Sequence, residues 1–129
     1  MLEIRYSEPK ELDISGTVDE LQFVRQKIFE LVQSETSQIA IDADGSVNTA
    51  PYNLAFPKLI ILKNSSPTKV SLKNRGEIYI EGSPYCLEAL ASFLDFDLNS
   101  RSGAHSHYEY YDGNEWISPE SIPLVISVK

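Results

Sequence analysis

Glu11-Leu12-Asp13-Ile14-Ser15-Gly16 and Glu77-Ile78-Tyr79-Ile80-Glu81-Gly82 lie 66 positions apart, and the same offset carries residues 2–63 onto residues 68–129 without a gap. Both stretches place an apolar side chain at every second position and stop at glycine, as a half-buried strand does before a break. Outward from them, Leu21, Val24 and Ile28 fall on Leu87, Leu90 and Leu94, Pro57 falls on Pro123, and Lys63 falls on Lys129. Identities are few, but the apolar phase is kept. Self-similarity at a fixed offset marks a duplicated supersecondary unit.

Each half reads as strand, strand, helix, strand, strand. In the first half, Glu3–Tyr6 and Leu12–Ser15 alternate, and Gly16 ends the second strand. Thr17-Val18-Asp19-Glu20 then has the capping-box form, in which Thr17 caps the third amide and Glu20 reaches back. Leu21, Val24, Ile28 and Leu31 form the buried stripe of a helix that ends near Ser34–Ser37. Ile39–Asp44 alternates again, Asp44-Gly45 signals a turn, and Ser46–Phe56 reads as a loop. Leu59-Ile60-Ile61-Leu62 is apolar on both faces, as in a central strand. Asn64–Pro67 is a turn rather than a linker. The second half has strands at Val70–Leu72 and Ile78–Ile80, then Ser83 as a cap and Pro84 at the first helical position. Leu87, Leu90, Leu94 and Leu98 line its helix. His105–Tyr111 and Leu124–Val128 are its last strands, separated by the turn at Asp112-Gly113-Asn114.

The expected fold is α+β: a tandem ββαββ duplication at offset 66, with eight strands. Two helices pack on a mostly antiparallel sheet in a two-layer, pseudo-twofold arrangement. Residues 1–129 form a single domain, divided into repeats 1–64 and 65–129. A half of that size would bury only a marginal core alone, so the halves are expected to share one.

The chain is 42% hydrophobic and 23% charged, ordinary for a globular protein, with a net charge of −8. Residues 1–64 carry six basic and ten acidic side chains, and residues 65–129 carry five and nine. Without clustered Lys and Arg, neither nucleic acid nor an anionic membrane surface is an expected partner. The balance suits a partner with a basic face, and solubility alone is the plainer reading of it. The one cysteine, Cys86, excludes an internal disulfide framework and reads as a structural thiol. No apolar run is long enough for a membrane span, and the N-terminus has no signal pattern, so a cytoplasmic protein is expected.

The halves differ most where Ile39 and Ile41 correspond to His105 and His107, the only two histidines. On a strand, His105, His107 and Glu109 share one face, and Ser106, Tyr108 and Tyr110 share the other. By the repeat, the histidine face falls where Ile39, Ile41 and Ala43 sit, which is the face expected to be buried. A one-residue strand shift would instead turn Tyr108 and Tyr110 inward. Three uses stay open. Two imidazoles and a carboxylate suit a metal such as zinc, but no metal-binding motif accompanies them. Histidine also suits acid–base catalysis, but no reaction signature is present. A structural network or a recognition surface is the third. Trp116 aligns with Ala50 and reads as an interface anchor or as a lid on the core edge. Tyr52, Phe56, Tyr108, Tyr110 and Tyr111 could join it in an aromatic patch, and Asp42, Asp44, Asp112, Glu115 and Glu120, near strand ends and loops, form either a rim for a basic partner or a solvated edge.

The order His105-x-His107-x-Glu109-Tyr110-Tyr111, Gly113-Asn114, Ile117-Ser118-Pro119-x-Ser121-x-Pro123-Leu124-Val125-Ile126 resembles the C-terminal signature of a bacterial polymorphic-toxin immunity family, immunity protein thirty-two. The resemblance covers roughly residues 76–129. It implies a small cytoplasmic α+β protein that binds and neutralises a cognate toxin, with His105, His107, Glu109 and Tyr110 as signature residues. The expected function is therefore a non-enzymatic immunity protein acting through an acidic, aromatic-containing surface. His105, His107, Glu109, Tyr110, Glu115 and Trp116 are its candidate binding residues. No catalytic residue, metal or cofactor is assigned. The alternatives are a small metal-dependent or acid–base enzyme centred on His105 and His107, and an architectural module that forms a homodimer.

Overall fold

In a computed structural model of the chain, which describes residues 1–7, 10–46, 50, 54–73 and 77–129, the repeated alternations form matching strands. The element order is β1 (Glu3–Ser7), β2 (Glu11–Gly16), α1 (Val18–Gln33), β3 (Gln38–Asp42), β4 (Leu54–Phe56), β5 (Lys58–Lys63), β6 (Lys69–Lys73), β7 (Glu77–Gly82), α2 (Pro84–Ser92), β8 (His105–Tyr108) and β9 (Leu124–Val128). The class is α+β, with two helices and two mostly antiparallel sheets. One sheet has the order β4-β1-β2-β9-β8, the other β3-β5-β7-β6. The eight expected strands are present, and β4 is a ninth inside the stretch read as a loop. Its three residues are too short to carry a periodicity of their own, and its pairing with β1 forms it. No helix among the described residues is long and apolar enough to cross a membrane.

Each sheet is built from both halves. The first hairpin of one half, β1–β2, pairs in parallel with the last strand of the other, β9, and β7 of the hairpin β6–β7 pairs in parallel with β5. A parallel pair cannot be joined by a tight hairpin; β5 reaches β7 through β6, and β2 reaches β9 through the elements from α1 to β8. Buried residues from both sheets and both helices make one continuous core. Leu21, Val24, Ile28 and Leu31 of α1 face it, as do Leu87, Leu90 and Ala91 of α2. Leu94 is also buried, but Leu98 is 77% exposed, because α2 ends at Ser92 and the turn beyond it breaks the stripe.

The strand registers refine the repeat. The hairpin pairs Glu3↔Ser15 and Lys69↔Glu81 keep the offset of 66. In the last hairpins the offset splits. Ile41 pairs with Leu59, and Tyr108 pairs with Leu124. Ile41 therefore corresponds to Tyr108, 67 positions on, and Leu59 to Leu124, 65 positions on. With that correction the central parallel pairs agree, Leu12↔Leu124 with Ile78↔Leu59 and Ile14↔Ile126 with Ile80↔Ile61. Loop hydrogen bonds match as well: Lys63 N–H to Ser37 O and Val128 N–H to Ala104 O are both 2.8 Å. Isolated bridges Leu2↔Ala43 and Thr68↔Ile117 join the sheets at equivalent corners. At those corners Gly16 and Gly82 let the chain approach closely. A Cβ on Gly16 would lie 2.9 Å from Leu2 Cδ2, and one on Gly82 2.9 Å from Thr68 Oγ1.

Candidate functional site

The split offset decides which residues of β8 face the core. Tyr108 is buried, Ser106 is half-buried, and His105 and His107 are exposed. The assignment of His105, His107 and Glu109 to the buried face is thus overturned in favour of the one-residue shift, since Ile39 and Ile41 correspond to Ser106 and Tyr108. The strand also ends at Tyr108 rather than Tyr111. A single slip exchanges the two faces of a strand, so an ungapped alignment of the halves reverses them here. His105 and His107 lie side by side, with ring centroids 5.1 Å apart and rings nearly perpendicular. The Nδ1 atom of His105 is 3.0 Å from the carbonyl of Gly103. Among the described residues, no group of three or more His, Cys, Asp and Glu side chains is placed to hold a metal ion.

Beside β8 lies a cleft of about 470 Å³. Ligand sites fall in this size range. One wall comes from α2. Tyr85, Ala89 and Phe93 are four residues apart and so form one stripe along the helix. Ala89 and Phe93 line the cleft, and Tyr85 meets Trp116 at its mouth, with ring centroids 4.7 Å apart and planes tilted by 53°. Phe93 meets the buried ring of Tyr108 edge-on at 5.0 Å. His107 and Glu109 supply the strand side, and Tyr111, Asn114 and Trp116 close the remainder.

The closing loop is held by backbone hydrogen bonds. Gly113 has φ +87°, the left-handed conformation that the turn needs and that glycine adopts without strain. Asn114 N–H donates to Tyr111 O at 3.0 Å, and Trp116 N–H donates to Asn114 Oδ1 at 2.8 Å. Thr68 N–H donates to Trp116 O at 2.9 Å, and Ser118 N–H to Thr68 O at 2.8 Å. Trp116 therefore stands on a fixed backbone while 42% of it remains exposed. Tyr85 and Tyr111 are 64% and 66% exposed. Ile117 makes the bridge that Ala43 makes, and Trp116 lies just before it in a segment longer than its first-half counterpart. The correspondence with Ala50 does not hold.

Tyr108 lies between the cleft and the core. Burial raises its hydroxyl to about 12, with Cys86 also raising it and Thr68 lowering it. The Tyr108 and Thr68 hydroxyls are buried neighbours, yet neither completes a hydrogen bond among the described residues. In the first half the equivalent positions are Ile41 and Leu2, an apolar pair.

The cleft thus gathers His107, Glu109 and Trp116 from the six expected binding residues. His105 lies farther along the exposed edge, Tyr110 is half-buried against the core, and Glu115 is exposed beside Trp116 in sequence, outside the lining. Phe56 is buried on β4, and Tyr52 lies outside the described residues. Cys86 is a buried free thiol. Tyr85, Ala89, Phe93 and Asn114 were not expected in the site. The sequence signal for Tyr85 is an aromatic side chain on the helix stripe out of phase with Leu87, Leu90 and Leu94.

A second cleft, of about 500 Å³, occupies the equivalent place in the first half. Phe23, Lys27, Ala40 and Asp42 stand there where Ala89, Phe93, His107 and Glu109 stand in the other. Size does not distinguish the two clefts, but aromatic lining does. Comparison with known proteins finds no matching family model, no matching curated protein and no matching solved structure.

Proposed function

We propose that this chain is an immunity protein that binds a cognate bacterial toxin domain and neutralises it without catalysis, from within the cytoplasm of the producing cell. The observation that carries the reading is the exposed aromatic group Tyr85, Tyr111 and Trp116 around a cleft bearing Glu109, on a chain of net charge −8. Large aromatic side chains concentrate binding energy at interfaces, and they do so most efficiently when the free protein already holds them in place. Here the Asn114 turn and the Thr68 bridge hold the loop of Tyr111 and Trp116, and α2 carries Tyr85. The acidic balance favours a toxin with a basic face and speeds the encounter. The resemblance of residues 105–126 to the immunity family points the same way.

The test starts with capture of partners from lysate of the source bacterium, identified by mass spectrometry. The C-terminal domain of a captured secreted protein is then expressed alone and together with this chain. The expected result is growth arrest by the domain alone and restored growth on co-expression. Arrest that co-expression leaves unrelieved would contradict the proposal.

A further inference from the structure

We propose that the cleft between α2, β8 and the loop 109–117 takes a cationic side chain, arginine or lysine, presented by the protein partner; this rests on the cleft being the partner-binding surface. Among the described residues the lining combines Phe93, Tyr108, Tyr111 and Trp116 with one carboxylate, Glu109, and includes no Lys or Arg. Aromatic faces beside a carboxylate attract a desolvated cation through the ring quadrupole and the ion pair together.

The equivalent cleft of the first half displays that arrangement within the chain itself. There Lys27 Nζ lies 5.3 Å from the centre of the Phe23 ring, and its ion-pair partner Glu30, with Oε2 3.4 Å away, stands outside the lining. Asp19, Glu20 and Asp42 also line that cleft. The position equivalent to Lys27 in the second half is Phe93. The second cleft has therefore lost the internal cation and gained aromatic faces, while Glu109 keeps the carboxylate of Asp42. One cleft is supplied with its own cation, and the other is left to a cation from outside.

Trp116 is the only tryptophan, so emission excited selectively through tryptophan, beyond tyrosine absorption, reports on this cleft. The test titrates the protein with acetyl-Gly-Gly-Arg-Gly-Gly-amide and with the same peptide carrying citrulline, which keeps the shape of arginine without its charge. The expected result is a saturable change with the arginine peptide, weakened about tenfold by citrulline and by Glu109→Gln, and unchanged by Phe23→Ala. Equal binding of the citrulline peptide, or no saturable response to arginine, would overturn the inference. The two proposals fail separately. A toxin that still loses affinity on Trp116→Ala, with no response to the arginine peptide, removes the cation and leaves the surface. A toxin indifferent to Trp116→Ala removes the partner surface, and with it the claim that a protein presents the cation.

Discussion

Tyr108 is the residue at which core and candidate site meet. Its buried hydroxyl sits beside Thr68 and completes no hydrogen bond of full geometry among the described residues, and such a group is costly to bury. Tyr108→Phe is expected to change stability by less than about 1 kcal/mol near neutral pH, measured by denaturant unfolding. The alkaline limb should change instead. With the folded hydroxyl at about 12 and an ordinary value of 10, the native state binds the proton more tightly. That contribution is fully present below pH 10 and is lost as pH rises toward 12. Loss of stability over this window in the parent, and a shallower loss in Tyr108→Phe, is the expected pair of curves. The residue scale is also where the sequence was least legible. Two histidines drew attention, yet they lie on the exposed edge. The aromatic stripe of Tyr85 and Phe93 shares a helix with the core residues and is hidden by its out-of-phase position. Trp116 could be singled out, but its partner Tyr85 is 31 positions away, and no spacing rule joins them.

At the scale of elements, local chemistry was legible wherever the signal is local. The α1 cap forms as the Thr17 and Glu20 pattern dictates: Glu20 N–H donates to Thr17 Oγ1 at 3.1 Å, and Thr17 N–H donates to Glu20 Oε1 at 2.9 Å. Ser83 caps α2 by accepting from Cys86 N–H at 3.2 Å. Thr17→Ala should cost about 1 kcal/mol in chemical denaturation. Glu20 adds an acid dependence. Partial burial works to raise its carboxyl, but the Met1 ammonium, the Thr17 amide and Lys129 outweigh it and hold the group at about 2. The folded value lies below the ordinary 4.5, so its stabilisation is present above that pH and lost as pH falls toward 2. Glu20→Gln can still accept the Thr17 amide, so it should leave helix content intact while flattening stability between about pH 5 and 2. Circular dichroism across that range distinguishes the two effects. Strand facing in the last hairpin was not legible. One residue more before β8 and two fewer between β8 and β9 exchange its faces, and the hydrogen-bonded register is what shows it.

For the whole molecule, the repeat foretold the class, the two helices and the shared core. It did not reveal that the strands divide between two sheets, because alternation reports a buried face and not the neighbour across it. The consequence is interdependence. The central parallel pair of each sheet joins one half to the other, so residues 1–64 alone leave β2 and β5 without their central partners. That fragment should show no cooperative unfolding as a monomer, and mixing it with residues 65–129 should restore the transition, followed by circular dichroism. The same symmetry sets up the clearest test of function, because it presents two clefts of similar size with different linings. The decisive measurement is the affinity of the captured toxin domain for the parent, for Glu115→Ala with Trp116→Ala, and for Phe23→Ala, each confirmed as folded. The account predicts binding at least about tenfold weaker in the double variant and unchanged in Phe23→Ala. Full affinity in the folded double variant, or an equal loss in Phe23→Ala, would contradict it.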